Sequence, residues 1–444
     1  MLGRSKVFFL FSLGVLSFPS LVLAQELKLE DVWREIAKDS KVQNAAQLDV
    51  EAASAASERA KINWLPRAYL DVKSFETNDP GLSFFGKLSE RAVTTNDFDP
   101  TALNHPASSL YTRGALGIDL ALYEGGMKSS QREMQDHLLA GKKEEQHQVL
   151  TNEFVEVAQA YGAINSLADQ RENLNDIQTG LLRLIKSYKL GNRSNPVGYS
   201  GLLGLKALSN RIQALINENR SKGAAHREEL SQLGLKQGDW RPTKSKAVEY
   251  VARYFKSGEA AESSGSAARK EMALAAESGA AMEKSRYLPK VGAFAEQYVF
   301  NGSRATDSGY SAGLYLQWNL FNPADYGVAK EAHLKAAAAE KYAAYNSDQE
   351  RSAFLGIKQA IEATRQNLLL MTESQKLLVE QTQTAEELFR NGSINALQLV
   401  EALSRRADLI ASFTDAELNL LKLHGELAMK SKFEIPIGIE GTAQ

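Results

Sequence analysis

Two short stretches carry residue types that could do chemistry. Gly125-Gly126-Met127-Lys128-Ser129 sets a lysine and a serine behind paired glycines, the types that cradle a phosphate, but without the loop spacing of a nucleotide-binding turn. It reads better as a strand-to-helix turn. Gly198-Tyr199-Ser200-Gly201 places a serine between glycines without the spacing of a nucleophile elbow. No H-E-x-x-H pair occurs, and the six histidines, His105, His226 and His333 among them, show no ligand spacing. Cysteine is absent. Disulfides, thiolate zinc sites, iron–sulfur clusters, a cysteine nucleophile and a lipid anchor on an N-terminal cysteine go with it. No catalytic centre, metal or cofactor is expected, and the protein is not expected to be an enzyme.

Composition narrows the class further. The chain has 444 residues, 43% hydrophobic and 24% charged, a globular balance. Lys+Arg 52 against Asp+Glu 54 gives a net charge of -2, which argues against a nucleic-acid partner. Arg4 and Lys6 precede an apolar run from Val7 to Phe18, and Val22 and Ala24 suit the -3 and -1 positions of a cleavage site. Residues 1–24 are therefore expected to be an export signal, cut after Ala24. A membrane anchor would need about 20 apolar residues, and Pro19 interrupts the run. No later stretch is long and apolar enough for a spanning helix, so any passage through a membrane must use β-strands.

The ten prolines show where long helices can run. Gly126 to Leu190 and Ala324 to Arg390 contain none, and proline inside a helix costs about 3 kcal/mol. At 1.5 Å per residue each interval could span on the order of 100 Å. Phe154, Val157, Tyr161 and Ile164, and Leu174, Ile177, Leu181, Leu184 and Tyr188, step by three and four. From Phe354 through Ile361, Leu368 and Leu378 to Phe389 the same alternation holds for ten steps, the pattern of helices packed along their length. Thr364, Gln375 and Thr382 on that seam suit a helical wall better than a dry two-stranded coil.

Four segments alternate with period two. Ala115 to Tyr123 puts Leu116, Ile118, Leu120 and Leu122 on one face, and Ala312 to Phe321 does the same with Leu314, Leu316, Trp318 and Leu320. Arg67 to Phe75 and Val291 to Phe300 fit less cleanly, the latter interrupted by Gln297. Lengths near ten residues match strands of a transmembrane barrel, with Leu116, Ile118, Leu120, Leu314, Leu316 and Trp318 facing lipid. Four strands cannot close a barrel, and open edges are not tolerated in lipid, so several copies must share one. The competing reading is a soluble, elongated coiled-coil scaffold of the periplasm.

The chain reads as an internal duplication. Trp64-Leu65-Pro66 recurs as Tyr287-Leu288-Pro289 after 223 positions, Leu116–Tyr123 as Leu314–Phe321 after 198, and Tyr188-Lys189-Leu190-Gly191 as Phe389-Arg390-Asn391-Gly392 after 201. The differing offsets put an insertion in the first hairpin loop, between Glu76 and Arg113, against the shorter stretch from Asn301 to Tyr310. The expected organisation is a signal over 1–24, a first repeat over 25–233, a side element over 234–265, a second repeat over 266–435 and a tail over 436–444. Gly191 and Gly392 stand where each long helix should stop and the chain reverse.

In this duplicated order, with Leu27-x-Leu29-Glu30-Asp31-Val32, Leu122-Tyr123-Glu124-Gly125-Gly126 and the stretch from Leu388 to Ala402, the chain resembles the TolC-like outer membrane efflux family. The resemblance implies a mainly α fold with very long coiled-coil-like helices in an α-barrel, plus four strands per chain in a shared 12-stranded β-barrel. It implies a homotrimer in outer-membrane lipid that extends into the periplasm. Its partners would be a periplasmic adaptor and an inner-membrane transporter of an efflux or type I secretion system, with no nucleic acid involved. The family's two entrance aspartates fall on Gln398 and Glu401, so one acidic ring is lost and the other survives as glutamate. Its latch arginine falls on Ile394, the neighbouring tyrosine on Phe389 and the first-half aspartate on Val197, so the usual latch is largely missing. A threefold ring of Glu401 would favour cations; the plainer reading of Glu401 is a solvated helix carboxylate. Asn391, Asn395 and Arg390 are candidates for polar tip contacts.

Overall fold

The computed structural model describes residues 25–189, 195–236, 238–256 and 262–436. The expected export signal, the tip glycine Gly191, parts of the 234–265 element and the tail beyond 436 lie outside the described residues. The two proline-free intervals form helices α5 (Met127–Ser187) and α9 (Val328–Arg390), of 61 and 63 residues. Each is about 90 Å long. Each starts from a glycine with positive φ, Gly126 at 84° and Gly327 at 82°, where the chain leaves a strand segment and turns into the helix.

A returning helix follows each long one: α6 (Pro196–Gln232) after α5, and α10 (Ala396–Met429) after α9. A helix of 21 residues precedes each strand pair, α2 (Lys41–Lys61) and α8 (Ser264–Lys284). The hairpins are β2 (Arg67–Thr77) with β3 (Ser109–Tyr123), and β5 (Lys290–Asn301) with β6 (Thr306–Gln317). They join into one antiparallel sheet in the order β2-β3-β5-β6, leaving β2 and β6 as edges.

Two apolar cores divide the helical part along its length. Near the tip, Leu174, Ile177 and Leu181 of α5 interlock with Leu205, Leu208 and Ile212 of α6 and Leu399 and Leu403 of α10. Higher up, α5 is enclosed on all sides from Ala160 to Leu167. A belt made from α1 (Leu29–Asp39), from β1 (Gln25–Leu27) paired parallel to β4 (Trp240–Pro242), and from α7 (Ala247–Tyr254) packs there. Trp33 meets Phe154 edge-on, and Tyr161 stacks between Trp240 and Tyr250. The described part of the 234–265 element is thus a wall of the central core.

The strand ends differ from expectation. The alternation of Ala312–Phe321 carries on past the real end of β6 at Gln317, so Trp318 and Leu320 lie outside the strand. Gln317 pairs with Lys290, the first residue of β5. The partner chain beyond it is Pro289, which has no N–H for the ladder. Trp318 instead donates its indole N–H to the Tyr287 carbonyl at 3.2 Å. At the other end, β6 begins at Thr306 and includes Tyr310, so the Asn301–Tyr310 loop is shorter than expected.

Candidate channel surfaces at the sheet and the helix tip

Strand register sorts the sheet's side chains into two unlike faces. Ala68, Leu70 and Val72 of β2 stand beside Ile118, Leu116 and Gly114 of β3. The row continues through Ala295, Gln297 and Val299 of β5 to Ala312, Tyr310 and Ser308 of β6. Leu70, Leu116, Ile118, Leu314 and Leu316 on this face are all exposed, Leu314 at 75%. Leu120 is half-buried in the same row, and Gln297 sits in it as a polar interruption.

The opposite face is polar and internally bonded. Arg113 pairs with Glu296, which also accepts from the Tyr69 hydroxyl at 2.9 Å, and the Tyr315 hydroxyl donates to Asp119 at 3.0 Å. Tyr69 and Tyr315 lie flat because glycines stand beside them: a Cβ on Gly117 or Gly292 would overlap the respective ring. An apolar row on one side and a bonded ionic row on the other is what a wall between lipid and water requires.

At the far end of the helices, Gly392 takes φ of 75° and the chain reverses into α10. Asn395 and Gln398 close a capping box. The Gln398 amide donates to Asn395 Oδ1 at 3.0 Å, and the Asn395 amide to Gln398 Oε1 at 3.1 Å. Both side chains are thereby engaged in starting α10. Glu401 is exposed at 64% and accepts from Arg405 Nε at 2.9 Å, one turn along the same helix. Val197 is exposed in the first turn of α6, and Gly191 lies outside the described residues. The candidate latch positions Val197, Phe389 and Ile394 are apolar or aromatic, and Phe389 stacks on Tyr188 with ring centroids 5.8 Å apart.

Several contacts that sequence reasoning missed hold the hairpins together. Arg211 of α6 pairs with Asp408 of α10 and donates to Ser404 Oγ at 3.0 Å. Below it, a Cβ on Gly201 would stand 2.6 Å from that of Ala396, so α6 and α10 touch backbone to side chain. Where α2 begins, buried Ser40 caps the helix and donates to the buried Glu153 carboxylate at 2.8 Å. Ser263 and Glu350 repeat this at the start of α8, at 2.8 Å. The serines are separated by the same 223 positions as Trp64 and Tyr287, a signal legible in the sequence.

Among the described residues no helix is long and apolar enough to cross a membrane, and no group of three His, Asp or Glu side chains is placed to hold a metal. No protein-family model matches the chain, and no curated protein matches it. Solved structures do. CusC, described in terms of transmembrane channel formation, superposes with a TM-score of 0.74 and 10% identity, over 91% of this chain and 91% of its own. The outer membrane protein VceC from Vibrio cholerae gives 0.72 and 12% identity over 91% and 97%. The CmeC outer membrane channel of Campylobacter jejuni gives 0.68 and 12% over 98% and 96%. At such identities the likeness is one of fold: this chain has the long-helix and four-strand fold of the TolC-type outer membrane channels.

Proposed function

We propose that three copies of this chain form a channel through the outer membrane, a passive exit duct continued by a helical tunnel into the periplasm. The observation that carries the reading is the sheet: one exposed apolar face, one bonded polar face and two unpaired edges. In lipid both edges must be satisfied, and a neighbouring copy offers β6 to β2 and β2 to β6 around a closed ring. Three copies would supply twelve strands from the four in each chain. A soluble scaffold would leave Leu70, Leu116, Leu314 and Leu316 in water.

In this reading the two hairpin tips form the periplasmic entrance. Gly392, Asn395 and Gln398 shape the second tip, with Val197 in the first turn of α6 at the other, and Glu401 is the exposed carboxylate that would face the passage. Closure would depend on the Tyr188–Phe389 stack and the Arg211 clasp in place of the family's latch. The tips would dock a periplasmic adaptor, and through it an inner-membrane transporter that supplies the energy. The test is fractionation followed by planar bilayers. The protein should remain in salt-washed outer membranes as a trimer and conduct, and Leu314→Asp with Leu316→Asp should abolish insertion. Release into the soluble periplasmic fraction would end the proposal.

A further inference from the structure

The insertion in the first hairpin, residues 78–108, is a folded unit. It carries α3 (Pro80–Ser89), a 3-10 turn over Thr95–Phe98 and α4 (Pro100–Asn104). Its anchor decides which side of the sheet it occupies. Tyr111 of β3 is fully buried beneath α3, its hydroxyl donates to the Ser83 carbonyl at 3.2 Å, and a Cβ on Gly86 would stand 2.6 Å from its ring. Tyr111 has the parity of Arg113 and Asp119, so α3 lies on the polar face, away from Leu116 and Leu314.

Buried charge holds the unit there. Asp97 is gripped by both terminal nitrogens of Arg304, at 2.5 and 2.7 Å, and by Lys87 at 3.0 Å. The buried Glu90 carboxylate accepts the amides of Arg304 and Ala305, both at 3.1 Å. These contacts tie the insertion to the turn of the second hairpin, at the end of the sheet remote from the helices. The side of α3 turned away from Tyr111 is apolar: Leu82, Phe85 and Leu88 are exposed, Phe85 at 66%, with exposed Phe98 beside Phe84.

We infer that the 78–108 insertion folds into the barrel lumen at its outer mouth and closes it by packing the Leu82/Phe85/Leu88 ridge against the same ridge of the other two copies. The inference rests on the threefold barrel proposed above. Twelve strands about 4.8 Å apart and tilted near 40° enclose a backbone diameter of roughly 24 Å. Three helices each about 10 Å thick, hung on the inner wall, nearly fill that circle. Each ridge then meets its counterparts on the axis, and the occupant of the apolar surface is a second copy of this chain.

The absence of native cysteine allows a direct test. Phe85→Cys, oxidised in purified trimers, should give a disulfide-linked dimer, while Leu70→Cys on the opposite face should not. Replacing residues 80–106 by a short Gly-Ser turn should raise single-channel conductance at least twofold. A trimer in which Phe85→Cys stays unlinked, or in which the deletion conducts like the parent, overturns the inference and leaves the channel standing. A parent protein that forms no trimer and conducts nothing overturns the channel reading, and the closed mouth with it.

Discussion

His424 shows how a single buried group sets the conditions under which the central core holds. It lies among Phe255 and Arg365, with the Arg365 guanidinium 3.4 Å from Nε2, and its Nδ1 is buried without a partner. Burial first, and the neighbouring cation second, push the imidazole down to about 4 from an ordinary 6.5. The unfolded chain therefore takes up the proton first as pH falls, and the stability from keeping this ring neutral is present above 6.5 and lost on the way to 4. At roughly 1.4 kcal/mol per pH unit, discounted for solvent that still reaches the ring, the loss is on the order of 2 kcal/mol. Thermal melts between pH 7 and pH 4 should show it, and His424→Gln should flatten the slope; an unchanged slope refutes the assignment. At the tip, Asn395→Ala removes half of the capping box and should cost about 1 kcal/mol. Faster amide exchange confined to the first turn of α10 would register it.

Between elements, the contact that matters most is α6 against α10. Gly201 permits it, because any side chain there must displace Ala396. Gly201→Val should splay the two hairpins and raise tip conductance severalfold, and Arg211→Ala should do so more weakly by freeing Asp408. Conductance unchanged in both would mean that closure is not made within the protomer. These contacts were hidden from sequence reading because each joins residues about 195 apart with no shared motif. The long helices were legible, since proline placement and seven-residue spacing are local signals. The strands were legible in the middle and illegible at the ends. From Thr306 to Ser311 the outward residues include Ser308 and the inward ones Asp307 and Gly309, so apolar alternation fades although the ladder continues. The opposite error at Trp318 arose because alternation outlasted the partner strand.

At the scale of the whole molecule, the unexplained surface is the outer side of α9. The expected seam is there, with Phe354, Ile361, Leu368 and Thr382 buried, but a second apolar stripe is left exposed beside it. Leu334, Leu355 and Leu369 recur at multiples of seven residues, as do Tyr342, Leu370 and Leu377, and all six are exposed. Spacing in sevens is the register by which one helix packs along another, and among the described residues the helices packed on α9 are α8 and α10, which leave this stripe uncovered. A neighbouring copy in the proposed trimer would supply one. Burying a leucine is worth about 1.5–3 kcal/mol, so Leu355→Glu with Leu369→Glu should weaken each interface by at least about 100-fold. Because neither side chain is buried within its own chain, circular dichroism should report unchanged helix content while native electrophoresis shifts from trimer to monomer. A variant that stays trimeric would mean that the stripe faces the tunnel interior or the adaptor, and that the strands alone hold the copies together.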